Sequence, residues 1–151
     1  MAKSYIGDIP NPHVRDFQRR KLYRAEELCS FWNKLKILSL PKVKHLVQNI
    51  TDWADVELPD VTYFRYKKGR QTYATATSLV LAFPIAKSAP FICHEMAHVI
   101  NYQRGPADHH GPNFAKAYLE VVRQFMGTAE FKDLKYMFDT FGVKYKEVIH
   151  I

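Results

Sequence analysis

The stretch His94-Glu95-Met96-Ala97-His98 constrains the fold of this chain more than any other part of it. Two histidines four residues apart lie on one face of a helix, about one turn apart, so both imidazoles can reach one metal ion. A glutamate between them can polarise a metal-bound water. The pattern fixes only three positions and would arise by chance in roughly one or two per cent of shuffled sequences, so its context decides its meaning.

The length of 151 residues suits one domain with one core. We expect an N-terminal arm over residues 1–12 and a single domain over residues 13–151. The longest apolar run, residues 78–84, is far too short to span a membrane. The first residues contain no apolar signal core, so the sequence predicts an intracellular, cytoplasmic protein with no membrane partner.

Positive charge is concentrated in the first third of the chain. Residues 1–50 carry ten Lys/Arg against four Asp/Glu, which gives +6 of the total of +7. Four arginines are spread around the first turns of the first predicted helix: Arg15, Arg19, Arg20 and Arg24. A basic segment of this kind can bind nucleic acid or another polyanion, and the alternative is a solvated basic helix face.

The two cysteines, Cys29 and Cys93, do not form a CxxC pair. This excludes a cysteine-rich zinc ribbon. We expect both to be buried thiols, because a disulfide is rare in a reducing compartment.

Two helices are predicted in the first half of the chain. Apolar residues recur at steps of three or four from Val14 to Leu38, which predicts one long amphipathic helix over about 13–38. Pro41 begins a second helical pattern that continues to about Trp53.

The apolar period then changes to two, which predicts strands. Residues 61–66, 71–77 and 79–83 are expected to form a small, mostly antiparallel sheet, with a turn at 67–70. A further strand is expected at 143–149, where apolar positions alternate. The fold class predicted from these patterns is therefore α+β.

Three helices follow the predicted sheet. Ser88 and Pro90 can begin the helix that carries the two histidines, and Gly105 ends it near residue 103. Two more helices are predicted over about 113–126 and 128–140.

A catalytic zinc site needs a third protein ligand and an open position for water. A compact HExxHxxGxxH arrangement is excluded, because Asn101 and Arg104 stand where its glycine and third histidine would be. Two arrangements remain open from the residues alone. The third ligand is either Glu120 on the next helix or a member of the loop cluster Asp108-His109-His110.

The segments HEMAH and HGPNF, joined by a short loop, resemble the signature of the SprT-like zinc metallopeptidases. That resemblance implies that His110 is the third ligand and that Phe114 is the signature aromatic. More weakly, residues 16–148 resemble a group of small zinc metallohydrolases predicted in actinobacteria and their phages, in which an early helix carries a motif like Tyr23-Arg24-Ala25-Glu26. The specific signature covers residues 94–114 only. The C-terminal four-cysteine ribbon of larger relatives is absent from this sequence.

The resemblance implies a minimal zincin-like fold, a Zn²⁺ ion held by His94, His98 and His110, and hydrolysis of a peptide or protein substrate. Glu95 is expected to be the general base. If a phage encodes the chain, its compartment is the host cytoplasm. Three near-sequence candidates for stabilising the oxyanion stay unranked: Tyr102, Arg104 and His109. The alternatives are a basic nucleic-acid-binding module with a structural zinc, a DNA-associated protease, and a non-enzymatic interaction protein.

Overall fold

The computed structural model describes residues 15–32, 36–63, 75–76, 80–83 and 88–148. The elements in these ranges are, in chain order, α1 (Arg19–Leu28), α2 (Leu40–Ala54), β1 (Asp60–Tyr63), β2 (Thr75–Ala76), β3 (Val80–Phe83), α3 (Ala89–Arg104), α4 (Pro112–Phe125) and α5 (Thr128–Phe141). The predicted arm and the predicted turn at 67–70 lie outside the described residues.

The predicted α+β class is wrong, because the described chain is mostly helical. Its helices contain 10, 15, 16, 14 and 14 residues, whereas the three β segments contain only four, two and four. β3 pairs in parallel with β1 over four residues and antiparallel with β2 over two. These short pairings are not the mostly antiparallel sheet expected, and helix packing builds the core instead.

The strand predicted at 143–149 is also wrong within its described part, since residues 143–148 form no strand. The alternation there has another cause. Val143 and Val148 are buried against the helices. The backbone of Lys144 exchanges two hydrogen bonds with the Gln18 side chain, and the amide of Lys146 donates to the carbonyl of Pro112. The segment is therefore an irregular tail that packs on the core.

The long helix predicted over 13–38 is wrong as well, because α1 ends at Leu28 and Cys29 has extended backbone angles. The amide and the hydroxyl of Ser30 both donate to Asp133 of α5, at 2.8 and 2.7 Å. Phe31 is then buried in the core. A tertiary contact made just beyond α1 thus outweighs the helical spacing of the apolar residues that follow. Residues 33–35 lie outside the described chain.

The predicted bounds of the other four helices agree with the structure to within about two residues. Pro41 and Pro90 stand in the first turns of α2 and α3, where a missing amide hydrogen costs nothing. Gly105 ends α3 with a φ of +52°, a conformation that glycine adopts without strain. Proline and glycine therefore fix these boundaries locally.

Helix α3 is the central element of the described chain. Every residue from Ile92 to Tyr102 is buried, and α3 packs against α2 and α4, while α5 packs against α1 and α4. A helix buried on all sides has polar residues only where they are paired or functional. The polar residues of this stretch are His94, Glu95, His98 and Asn101.

None of the described helices combines the length and the apolar character that crossing a membrane requires.

Candidate metal centre

Three buried histidines converge in the described structure. His94, His98 and His110 are 6, 8 and 8% exposed, and each offers a ring nitrogen within 4.8 Å of those of the other two. The Nε2 atoms of His98 and His110 are 3.2 Å apart. Three imidazoles so arranged could hold a metal ion.

Helix α3 and the loop after it bring these rings together. His94 and His98 are one turn apart on α3, and their ring centroids are 5.1 Å apart. Beyond Gly105 the chain reverses over residues 106–111, which carries His110 back to within 4.7 Å of the His98 ring centroid. Phe114 of α4 is fully buried and contacts all three histidine rings, at centroid distances of 5.1, 4.1 and 5.1 Å.

Asp108 holds this loop against α4 rather than facing the histidines. Its carboxylate accepts hydrogen bonds from the amides of Asn113 and Phe114 and from the side chain of Asn101, so it caps the start of α4. A Cβ atom at Gly111 would lie 2.8 Å from three atoms of Asp108. The glycine after His110 is therefore needed because the capping aspartate approaches its backbone closely.

The structure groups His110, and not Glu120, with the histidines of α3. Glu120 lies along α4 and forms an ion pair with Lys116 at 3.7 Å. Both line a separate cavity of about 160 Å³ beside Arg104 and Gly105. Of the two arrangements left open by the residues alone, the described geometry favours the loop histidine.

Two carboxylates contact the Nδ1 atoms of two candidate ligands. We call Nδ1 the outer nitrogen of these rings and Nε2 the inner one. The Nδ1 atom of His94 is 2.5 Å from Oε2 of Glu26, and that glutamate is 4% exposed. The Nδ1 atom of His110 is 2.9 Å from Oδ2 of Asp16, and the backbone amide of His110 donates to Oδ1 of the same carboxylate. A carboxylate accepts the Nδ1 proton, which leaves the Nε2 lone pair of each ring available to a metal ion.

The electrostatics of the three rings follow from burial and from these carboxylates. Burial, together with the neighbouring histidines, places the pKa of His98 well below its usual value. Burial also lowers the pKa of His110, although Asp16 opposes it. Burial alone would lower the pKa of His94 too, but the charge and hydrogen bond of Glu26 outweigh it and raise that pKa. The carboxylates therefore offset positive charge at the cluster.

One pair of ring nitrogens has the spacing that a zinc site requires. With Zn–N distances of about 2.0–2.1 Å, two nitrogens of a tetrahedral site are about 3.3 Å apart, and the Nε2 atoms of His98 and His110 are 3.2 Å apart. Nδ1 of His98 is buried with no hydrogen-bond partner among the described residues.

Glu95 lies at the same cluster. Glu95 is buried, with 8% of its surface exposed. Its charge contributes to the raised pKa of His94 and also to those of Tyr23 and Tyr102, in each case behind larger effects of burial. The charge of Glu95 thus acts on one candidate ligand and on two phenols.

The three candidates for oxyanion stabilisation occupy different places. The ring of Tyr102 stacks on His98 with centroids 6.0 Å apart. Arg104 donates a hydrogen bond of 2.8 Å to the carbonyl of Ala54, so its guanidinium is directed towards α2. His109 is partly buried and has a φ of +58° in the loop. Of the three, only Tyr102 has a ring contact with a candidate ligand in the described structure.

Sequence reasoning gave no role to three side chains that the structure places at the cluster: Asp16, Tyr23 and Glu26. Glu26 is separated from His94 by 68 positions, and Asp16 from His110 by 94. Two signals were available: the weak resemblance that includes Tyr23-Arg24-Ala25-Glu26, and the spacing of Tyr23 and Glu26, which puts them on one helix face. Only folding reveals what that face contacts.

Compared with protein-family models, with curated proteins and with solved structures, the chain gives no match. The geometry of the cluster therefore carries the functional argument.

Proposed function

We propose that this chain is a zinc-dependent hydrolase of the SprT-like type that cleaves peptide bonds. The observation that carries the proposal is the buried three-histidine cluster, in which carboxylates hold the outer nitrogens of two rings. Support also comes from the resemblance of HEMAH and HGPNF to the SprT-like signature, because His110 and Phe114 of the second segment both lie at the cluster.

In this proposal His94, His98 and His110 hold Zn²⁺ through Nε2. When bound, zinc lowers the pKa of a coordinated water to about 7 and polarises the carbonyl that is attacked. Imidazole suits zinc among several metals, and three histidines leave a fourth position open. Asp16 and Glu26 orient two of the rings and offset part of the added positive charge.

Glu95 is the proposed general base. Its carboxylate takes a proton from the attacking water as the water oxygen bonds to the substrate carbonyl carbon. It then gives that proton to the amine nitrogen as the C–N bond breaks. A proton transfer by a positioned side chain contributes typically 10²–10⁴ in rate. The buried setting of Glu95 beside His94 is what suits it to this role.

The test is hydrolysis of fluorescently labelled casein by zinc-loaded protein and by Glu95→Gln. We expect the variant to retain its zinc and to lose at least 10²-fold in rate, because the glutamine keeps the shape but accepts no proton. Glu147→Gln, at an exposed position of the C-terminal tail, is the matched control and should cleave like wild type. Equal activity of Glu95→Gln and wild type would refute this mechanism.

A second candidate function is nucleic-acid binding, alone or in delivering a protein substrate. Arg15, Arg19, Arg20 and Arg24 are all exposed, three of them on α1. The same helix carries Glu26 at the cluster, so bound nucleic acid would lie near the site.

Salt-dependent binding of a fluorescent DNA duplex tests this second candidate. Neutralising the four arginines should weaken binding and reduce its salt dependence. Neutralising four exposed lysines elsewhere removes the same charge and is the control: Lys42, Lys44, Lys132 and Lys146. An equal loss in both quadruple variants would mean that only net charge matters.

A further inference from the structure

One phenol reaches the inner side of the histidine cluster. The hydroxyl of Tyr23 is 3.2 Å from Nε2 of His110, the nitrogen that also faces His98. Because Nδ1 of His110 faces the carboxylate of Asp16, that ring carries its proton on Nδ1 and the phenol donates to Nε2. The phenol of Tyr23 therefore reaches the nitrogen of His110 that faces His98.

The ring of Tyr23 covers two of the histidines. Its centroid is 6.1 Å from that of His94, in a stacked arrangement, and 4.9 Å from that of His110, edge to face. Arg19 lies 5.9 Å from the ring centroid. Tyr23 is 37% exposed. The side chain therefore contacts the cluster and also reaches solvent.

A metal ion and the Tyr23 hydroxyl compete for the same lone pair on His110. Once a ligand nitrogen gives that lone pair to an ion, it can no longer accept the hydrogen bond of the phenol. The hydroxyl, fixed within 3.2 Å of that nitrogen, must then donate to another acceptor nearby. In a substrate complex, the carbonyl oxygen held beside the ion would be such an acceptor, because it gains negative charge during attack.

We infer that Tyr23 is a further catalytic residue of the proposed hydrolase, donating a hydrogen bond to the substrate carbonyl oxygen as that oxygen becomes negative. No proton is transferred from the phenol in this role. The inference rests on the proposed function, because it needs a carbonyl substrate at the cluster. It also distinguishes Tyr23 from Asp16, which contacts the opposite nitrogen of His110 and acts only by positioning that ring.

The first test is Tyr23→Phe in the zinc-loaded protein, with casein cleavage as the readout. We expect kcat to fall by about 10², as for the loss of one oxyanion donor, with little change in KM or in bound zinc. Tyr136→Phe removes a phenol from an exposed position on α5 and is the matched control. Full activity of Tyr23→Phe, or loss of its zinc, would overturn the inference.

The second test needs no turnover. Acetohydroxamate binding to the Co²⁺-substituted protein places an anionic oxygen on the metal, and the visible Co²⁺ spectrum reports it. Tyr23→Phe should weaken this binding by about tenfold or more, since a hydrogen bond to a charged group is lost. An unchanged dissociation constant overturns the inference. If wild type cleaves nothing while the tenfold effect is present, the proposed function fails and the donor role of Tyr23 stands.

Discussion

The buried carboxylate of Glu26 offers a sharp test of how this site is built. Glu26→Gln keeps the size of the side chain and an acceptor oxygen, but removes the negative charge 2.5 Å from Nδ1 of His94. The neighbouring Glu27 is exposed on the same helix. Glu27→Gln changes the net charge of the chain equally and is therefore the matched control.

The size of the expected effect follows from the position of Glu26. Loss of an outer partner of a metal-ligating histidine costs about 10–100-fold in metal affinity. The Glu26 side chain is only 5% exposed, so solvent screens its charge little. Since glutamine still accepts the Nδ1 proton, we expect a loss near the middle of that range, about 30-fold, which corresponds to ~2 kcal/mol.

Competition with a chromophoric chelator measures the zinc dissociation constant of each variant. Thermal unfolding of each protein shows whether the substitution has also damaged the fold. The account predicts a weakening of about 30-fold for Glu26→Gln and none for Glu27→Gln. A folded Glu26→Gln that binds zinc as tightly as wild type would refute the idea that this carboxylate tunes His94.

Three further predictions concern the surroundings of the cluster. Gly111→Ala should destabilise the chain by roughly 1–3 kcal/mol in thermal unfolding, because its Cβ would lie 2.8 Å from Asp108. Gln18→Ala should cost about 1–3 kcal/mol in denaturant unfolding, because a buried side chain with three hydrogen bonds is lost; an unchanged midpoint would contradict this. Cys29 and Cys93 should resist a thiol reagent near neutral pH until the chain unfolds, because burial raises the pKa of each to about 12.

The helices after residue 40 could be predicted because local chemistry determines them. Pro41 and Pro90 mark the starts of α2 and α3, and Gly105 and Gly142 mark the ends of α3 and α5. The two histidines of α3 were placed for the same reason, since helical spacing alone puts them on one face. The expectation of two buried thiols is also confirmed, because both Cys29 and Cys93 are buried and free.

Two of the errors have long-range causes. The end of α1 depends on the contact between Ser30 and Asp133, and the 143–148 tail is held by Gln18 and Pro112. Neither contact leaves a trace in local periodicity. Alternating apolar residues over 143–148 reflect an irregular segment on a helical core, and a two-residue period cannot distinguish that from a strand.

The candidate site was predictable in its inner part only. HExxH and the loop histidine could be found from spacing and resemblance, whereas Glu26 and Asp16 approach from α1 and the segment before it. Carboxylates in and just before a basic helix carry no visible sign of pairing with a histidine 68 or 94 positions away. Their roles follow from the packing of α1 rather than from its sequence.

Metal analysis of the purified chain tests the central claim most directly. The account predicts about one zinc per chain in wild type, in His109→Ala and in Glu120→Ala, and almost none in His110→Ala. His109 neighbours His110 in the loop but is not among the three grouped histidines, and Glu120 pairs with Lys116 instead. A folded His110→Ala that keeps its zinc, or a Glu120→Ala that loses it, would contradict the three-histidine site.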